Sequence, residues 1–222
     1  MSSSKYEYNI YWFENNGNND FTTKEIKKIN QNSITGKSDI FSIDINSDGK
    51  MDVLSTSRDD NSILWYQNDG VGNFTEVVVS SNALTATTVY ASDVDLDGDI
   101  DILSGSIGDS KIAWYENSGN PNPSFIEHQV DLTANSPTSI FTKDLDNDGD
   151  IDILSSSSGD NKISFYRNDG LQNFTTNVIS QNVQGASDVF ALDIDTDGKI
   201  DVLSSARTGD AIMWFKSGIN YT

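Results

Sequence analysis

The amino-acid sequence predicts an all-β protein, a β-propeller built from four-stranded antiparallel blades in about four repeats of roughly 50 residues. Three observations predict it. A nine-residue acidic loop occurs four times, with first residues 49, 51 and 49 positions apart. An aromatic pair followed by a polar turn recurs at the same interval. Between these landmarks lie short β-branched and aromatic runs bounded by Gly, Asn, Asp and Ser, with no sustained apolar stripe of helical period.

The aromatic landmark begins at Trp12, Trp65, Trp114, Phe165 and Trp214, and the first four copies run on to Gly17, Gly70, Gly119 and Gly170. A further aromatic after each turn (Phe21, Phe74, Phe125, Phe174) opens a short apolar run. Each full unit then parses as four strands; in the second full unit these are expected at 88–94, 100–104, 111–116 and 124–130. The chain divides as one array over 1–222: a partial blade at 6–29, blades at 38–80, 87–131 and 137–180, and a partial blade at 187–217. Small residues in each second strand (Ser55, Ser104, Gly105, Ser155, Ser204) suit a crowded inner region where blades converge. The mid-strand Trp and Phe residues repeat at one position, which predicts packing between blades rather than stacking on sugars. Closure stays open at this level. The N-terminal fourth strand can join the C-terminal blade, the array can be an arc of a larger ring, or a homo-oligomer can complete the ring.

The loops carry the chemistry. They comprise Asp44, Asn46, Asp48, Lys50 and Asp52; Asp93, Asp95, Asp97, Asp99 and Asp101; Asp144, Asp146, Asp148, Asp150 and Asp152; and Asp193, Asp195, Asp197, Lys199 and Asp201. Positions 1, 3 and 5 send oxygen ligands toward one point, and glycine at position 6 permits the sharp turn. Position 7 offers its carbonyl and Asp at position 9 closes the shell. Such carboxylate density calls for a hard cation, and a largely protein-supplied oxygen cage suits Ca²⁺: up to four structural ions. An EF-hand is excluded because position 12 is Ser55, Ser104, Ser155 or Ser204 instead of Glu. Met51, Ile100, Ile151 and Ile200 at position 8 are expected to anchor the following strand in the core. The first loop, with Asn46 in place of a carboxylate, is expected to bind most weakly.

Together the loops, the period and the Trp-Tyr-x-Asn-x-Gly turns resemble the FG-GAP/VCBS repeat family, whose propellers include integrin α-subunit heads and many bacterial surface proteins. The resemblance implies that each loop joins a blade's first and second strands and holds structural Ca²⁺ through the residues just named. Such propellers usually close with seven blades, more than this array supplies.

Composition narrows the partners. The net charge is −20, and the loops hold half of the 34 acidic side chains. No basic stripe exists for nucleic acid, no apolar run is long enough for membrane insertion, and the chain has no cysteine. No leader pattern follows Met1. Calcium sites of extracellular type fill at roughly 10⁻⁴ to 10⁻³ M, so an extracellular or cell-surface location is expected. His128 is the only histidine, and no nucleophile elbow is present, so a non-enzymatic role is expected: an adhesion or recognition scaffold for protein or glycan. The alternative is an accessory or catalytic propeller of a secreted polysaccharide-degrading enzyme. The ligand face is expected opposite the metal loops, where Arg58 and Arg207 lie in turns between second and third strands and where the inter-blade connections vary most.

Overall fold

The computed structural model describes residues 9–28, 39–119 and 121–218, and among them there is no helix. Strands β1 (Asn9–Asn15) and β2 (Phe21–Lys28) form a two-stranded sheet. Three four-stranded meanders follow. The first is β3 (Ile40–Ile43), β4 (Asp52–Ser57), β5 (Ser62–Asn68) and β6 (Phe74–Ser80). Next come β7 (Ala86–Ser92), β8 (Asp101–Ser106), β9 (Lys111–Asn117) and β10 (Phe125–Asp131). The third is β11 (Pro137–Lys143), β12 (Asp152–Ser157), β13 (Lys162–Asn168) and β14 (Phe174–Ser180). A three-stranded sheet of β15 (Ala186–Leu192), β16 (Asp201–Ala206) and β17 (Ala211–Phe215) ends the described chain. Every pairing is antiparallel between sequence neighbours, the topology of propeller blades.

In the second full unit the first strand begins and ends two residues earlier than the apolar pattern predicts: β7 stops at Ser92, and Val94 belongs to the loop, buried there. Among the described residues no pairing joins the N-terminal fourth strand to the C-terminal blade. Among the described residues β2 pairs with β1, and β17 pairs with β16. The connection expected over 30–38 lies outside the described residues.

Period-2 alternation gives each blade a forward and a backward face. Leu54, Ile63 and Trp65 of one blade pack on Val89, Ala91, Ile102 and Tyr115 of the next. Leu103, Ile112 and Trp114 meet Ile140, Ile153 and Tyr166, and Leu154, Ile163 and Phe165 meet Val189, Ala191 and Val202. The core is therefore a series of layers between sheets rather than one centre. The expected packing role of the mid-strand aromatics holds for Trp65, Trp114 and Phe165, which are buried. Trp214 departs from it, because no blade covers its face among the described residues, and it is 49% exposed.

First strands converge, and their aromatic residues form a ladder. Ring centroids are 4.8 Å apart for Phe41–Tyr90, 5.6 Å for Tyr90–Phe141 and 4.5 Å for Phe141–Phe190. The small second-strand residues sit where space is shortest. A Cβ on Gly105 would lie 2.8 Å from Thr88 Cγ2 and 2.9 Å from Pro137 Cβ of the following blade.

Two inter-blade connections among the described residues are fastened at both ends. Ala83 N–H donates to Asn61 O (3.0 Å) and Thr85 N–H to Asn61 Oδ1 (2.8 Å), in the turn of the blade before. Gly108 N–H of the blade after donates to Leu84 O (2.8 Å). The next connection bonds to the blade after it, with Gly159 on Asn135 O, and the one beyond repeats both anchors, with Val183 on Asn161 O and Arg207 on Gly185 O. Segments that vary most in sequence thus have their backbone polar groups satisfied as a staple.

Candidate metal loops

Each acidic loop joins the first to the second strand of its blade, and its fold is local. The position-1 carboxylate accepts from the position-6 glycine N–H: Gly49 to Asp44 Oδ2 at 2.7 Å, Gly98 to Asp93 at 3.1 Å, Gly149 to Asp144 at 3.1 Å and Gly198 to Asp193 at 2.9 Å. Position 5 accepts from the position-7 N–H in all four, between 2.9 and 3.1 Å. Two residues per loop are left-handed: the glycine, and position 4 as Ser47, Leu96, Asn147 or Thr196, with φ between 55 and 62°. Leu96 and Thr196 are the costly ones there, the first bulky and the second β-branched.

Asp52, Asp101, Asp152 and Asp201 at position 9 open the second strand and are at most 1% exposed. Each reaches two ways. Asp101 Oδ1 accepts from Asn117 N–H (2.8 Å) at the end of the third strand, and Oδ2 accepts from Val94 N–H (3.0 Å) inside the loop. Asp152 repeats this with Asn168 and Leu145, both at 2.9 Å, and Asp52 adds the Trp65 indole N–H at 2.9 Å. Position 9 therefore ties loop to blade, a role the spacing alone did not reveal. At position 8 the expectation needs a correction: Ile100 and Ile200 pack against the core, but Met51 is 55% exposed because only the two-stranded sheet flanks its blade.

The third-to-fourth turn lies against the loop. A Cβ on Gly119 would sit 2.0 Å from Asp99 Oδ2, and one on Gly170 2.7 Å from Asp150 Oδ2. Those glycines, with φ of 69° and 75°, make room for the position-7 side chain.

Three loops bring carboxylates together so that ligand atoms lie within 4.8 Å of one another: Asp93, Asp95 and Asp101; Asp144, Asp146 and Asp152; Asp193, Asp195 and Asp197. Among the described residues the first loop, with Asn46, forms no such group. The residues fit a divalent cation on a separate ground. Asp93 Oδ1, Asp144 Oδ1 and Asn46 Oδ1 are buried oxygens with no hydrogen-bond donor, and such atoms are costly unless a cation meets them. Burial, opposed by the backbone N–H bonds, pushes the Asp101 and Asp152 carboxyls up to about 7. Asp95 is raised by burial and then by the neighbouring Asp97 charge. Asp195 is instead lowered, chiefly by the Lys216 ammonium, and Asp148 by the Asp150 N–H and then the Arg167 guanidinium.

His128, on the outer strand β10, stacks on the Trp114 ring at 4.4 Å, and its Nε2 lies 2.7 Å from Glu116 Oε2. The partner is not a constant of the repeat: the equivalent positions hold Glu14, Gln67, Arg167 and Lys216.

The FG-GAP-like repeat model matches residues 44–104, 93–155 and 144–204, together more than half of the chain. The chain belongs to the FG-GAP repeat family. No curated relative matches it in sequence. Among solved structures, an Agrocybe aegerita lectin, described as recognising non-reducing terminal N-acetylglucosamine, superposes with TM-score 0.56 at 19% identity, over 83% of this chain and 52% of its own. Virginiamycin B lyase from Staphylococcus aureus gives 0.49 at 15% identity, over 83% and 62%. The Vibrio cholerae biofilm matrix protein Bap1 gives 0.45 at 18% identity, over 84% and 31%. The FG-GAP chain thus spans about half the length of the lectin and a third of Bap1. At such identities the lectin likeness speaks to propeller fold alone.

Proposed function

We propose that this FG-GAP chain is a non-enzymatic, calcium-stabilised recognition scaffold that works outside the cell and binds glycan or protein. The carrying observation is the set of donor-less buried oxygens at Asp93 and Asp144 inside carboxylate groups fastened to the blades through position 9. When bound, Ca²⁺ would supply charge neutralisation and rigidity, held by positions 1, 3 and 5 with position 9 behind them. Affinities of the extracellular kind, roughly 10⁻⁴ to 10⁻³ M, match calcium-rich surroundings. The N-acetylglucosamine lectin with a similar fold supports glycan as one ligand class.

The stapled face opposite the loops is the proposed ligand surface. Its backbone is held by hydrogen bonds, while exposed side chains such as Leu84 and Arg207 differ from blade to blade. A rigid frame carrying variable side chains is preorganised for recognition. Melting with about 5 mM Ca²⁺ and with chelator tests the metal half: filling at tenfold above the dissociation constant is worth about 1.4 kcal/mol per site, and four sites raise the Tm by on the order of 10 °C. Glycan-array binding that disappears in Arg58→Glu and Arg207→Glu tests the face. Equal Tm with and without chelator would remove the calcium reading.

A further inference from the structure

Two places after the mid-strand aromatic, the side chain changes sign along the four blades that carry an acidic loop: Gln67, Glu116, Arg167, Lys216. Arg167 Nε lies 2.5 Å from Asp146 Oδ2 and Nη2 2.9 Å from Asp148 Oδ2, so one guanidinium bridges positions 3 and 5 of the third loop. Lys216 does the same in the fourth, contacting Asp195 and, at 3.4 Å, Asp197. These are the carboxylates a divalent ion would draw together. In the second loop the equivalent side chain is Glu116, which His128 holds and whose charge bears on Asp95. There Asp95 Oδ2 receives only the neutral Gln172 amide of the next blade, at 3.2 Å.

Charge follows the same division. Counting the loop with its facing residue, the formal charge is −2, −6, −4 and −2 from first loop to fourth.

Building on the calcium reading above, we propose that Arg167 and Lys216 are tethered counter-ions that compete with Ca²⁺ in the third and fourth loops, and that Glu116 makes the second loop the tightest site. A tether of this kind neutralises the empty loop, so that blade keeps its shape when calcium is scarce. Both side chains are about half exposed (52% and 53%) and can swing into water once an ion arrives. The competition therefore lowers affinity without abolishing binding. Breaking two charge-assisted contacts at a surface and restoring the lost negative charge corresponds to about tenfold in midpoint. The four loops then fill in sequence over a range of calcium concentrations instead of together.

The loop glycines read each site separately, since each N–H donates to its own position-1 carboxylate. Titration of ¹⁵N-labelled protein with CaCl₂ to about 10 mM, roughly tenfold above the upper end of extracellular-type affinities, should move the Gly98 amide first. Arg167→Gln should lower the Gly149 midpoint about tenfold and leave Gly98 unchanged, while Lys216→Gln does the same for Gly198. Glu116→Gln should raise the Gly98 midpoint. In chelator, Arg167→Gln and Lys216→Gln should melt earlier than wild type, the opposite sign to their gain in affinity. Midpoints for Gly149 and Gly198 that ignore these substitutions, or a wild-type Gly98 that moves last, would overturn the tether. Amides that never move in any variant would instead show that the loops take no calcium, which removes the foundation as well.

Discussion

Trp114 and Trp214 hold the same position in the same third strand of two blades, yet one is fully buried and the other half exposed. Ile163 and Ile212 repeat the contrast at 0% and 83%. The repeat writes both faces of every blade, but a face becomes core only when another blade lies on it. Stability in this array thus belongs to the interfaces more than to the sheets.

The largest effect expected from that contrast is in the middle of the array. Trp114→Ala removes a side chain enclosed by Ile140, Ile153 and Tyr166 and should cost about 3–5 kcal/mol in urea unfolding. Trp214→Ala should cost under about 1 kcal/mol, as surface changes do. A comparable loss in Trp214→Ala that depends on protein concentration would mean a second molecule covers that face. Next comes the position-9 strut: Asp101→Asn keeps one acceptor but turns its amide N–H₂ against the N–H of either Val94 or Asn117, and should cost about 1–3 kcal/mol, read by the same unfolding curve. Smaller is the turn glycine. Gly119→Ala meets Asp99, whereas Gly17→Ala meets nothing within 4 Å. Both carry the left-handed penalty of about 1 kcal/mol, so Gly119→Ala should exceed Gly17→Ala only by the displacement of one flexible carboxylate. The least effect, near zero, is expected for Ile212→Ser, set against Ile163→Ser as its buried counterpart.

Much of this was legible in the residues. Alternating β-branched runs and the Gly-bounded turns foretold meanders, because a period of two and a left-handed glycine are local properties. The acidic loops were legible for the same reason: the hydrogen bonds made within each loop span at most seven residues, as from Val94 to Asp101. What the sequence concealed is contact made across strands or between blades. Arg167 reads as an ordinary exposed strand residue until β13 is laid beside the third loop, 19 residues back in the chain from Arg167 to Asp148. A tabulation of that register position, Gln67, Glu116, Arg167 and Lys216, held the signal, as a change of sign opposite loops of differing charge. The staples were invisible for another reason: they are made by backbone groups, and side-chain variation in those connections reads as freedom where the main chain is pinned. Met51 misled because the pattern at position 8 records a repeat, while burial records a neighbour.

Those staples bear on how the molecule meets mechanical load. A tether pulling on the array strains the linking segments around Leu84 and Gln184 at two anchor points, one in either adjoining blade, so those neighbouring blades resist bending as a unit. Force then travels from blade to blade largely through main-chain bonds, backed by the Asn61 and Asn161 side chains.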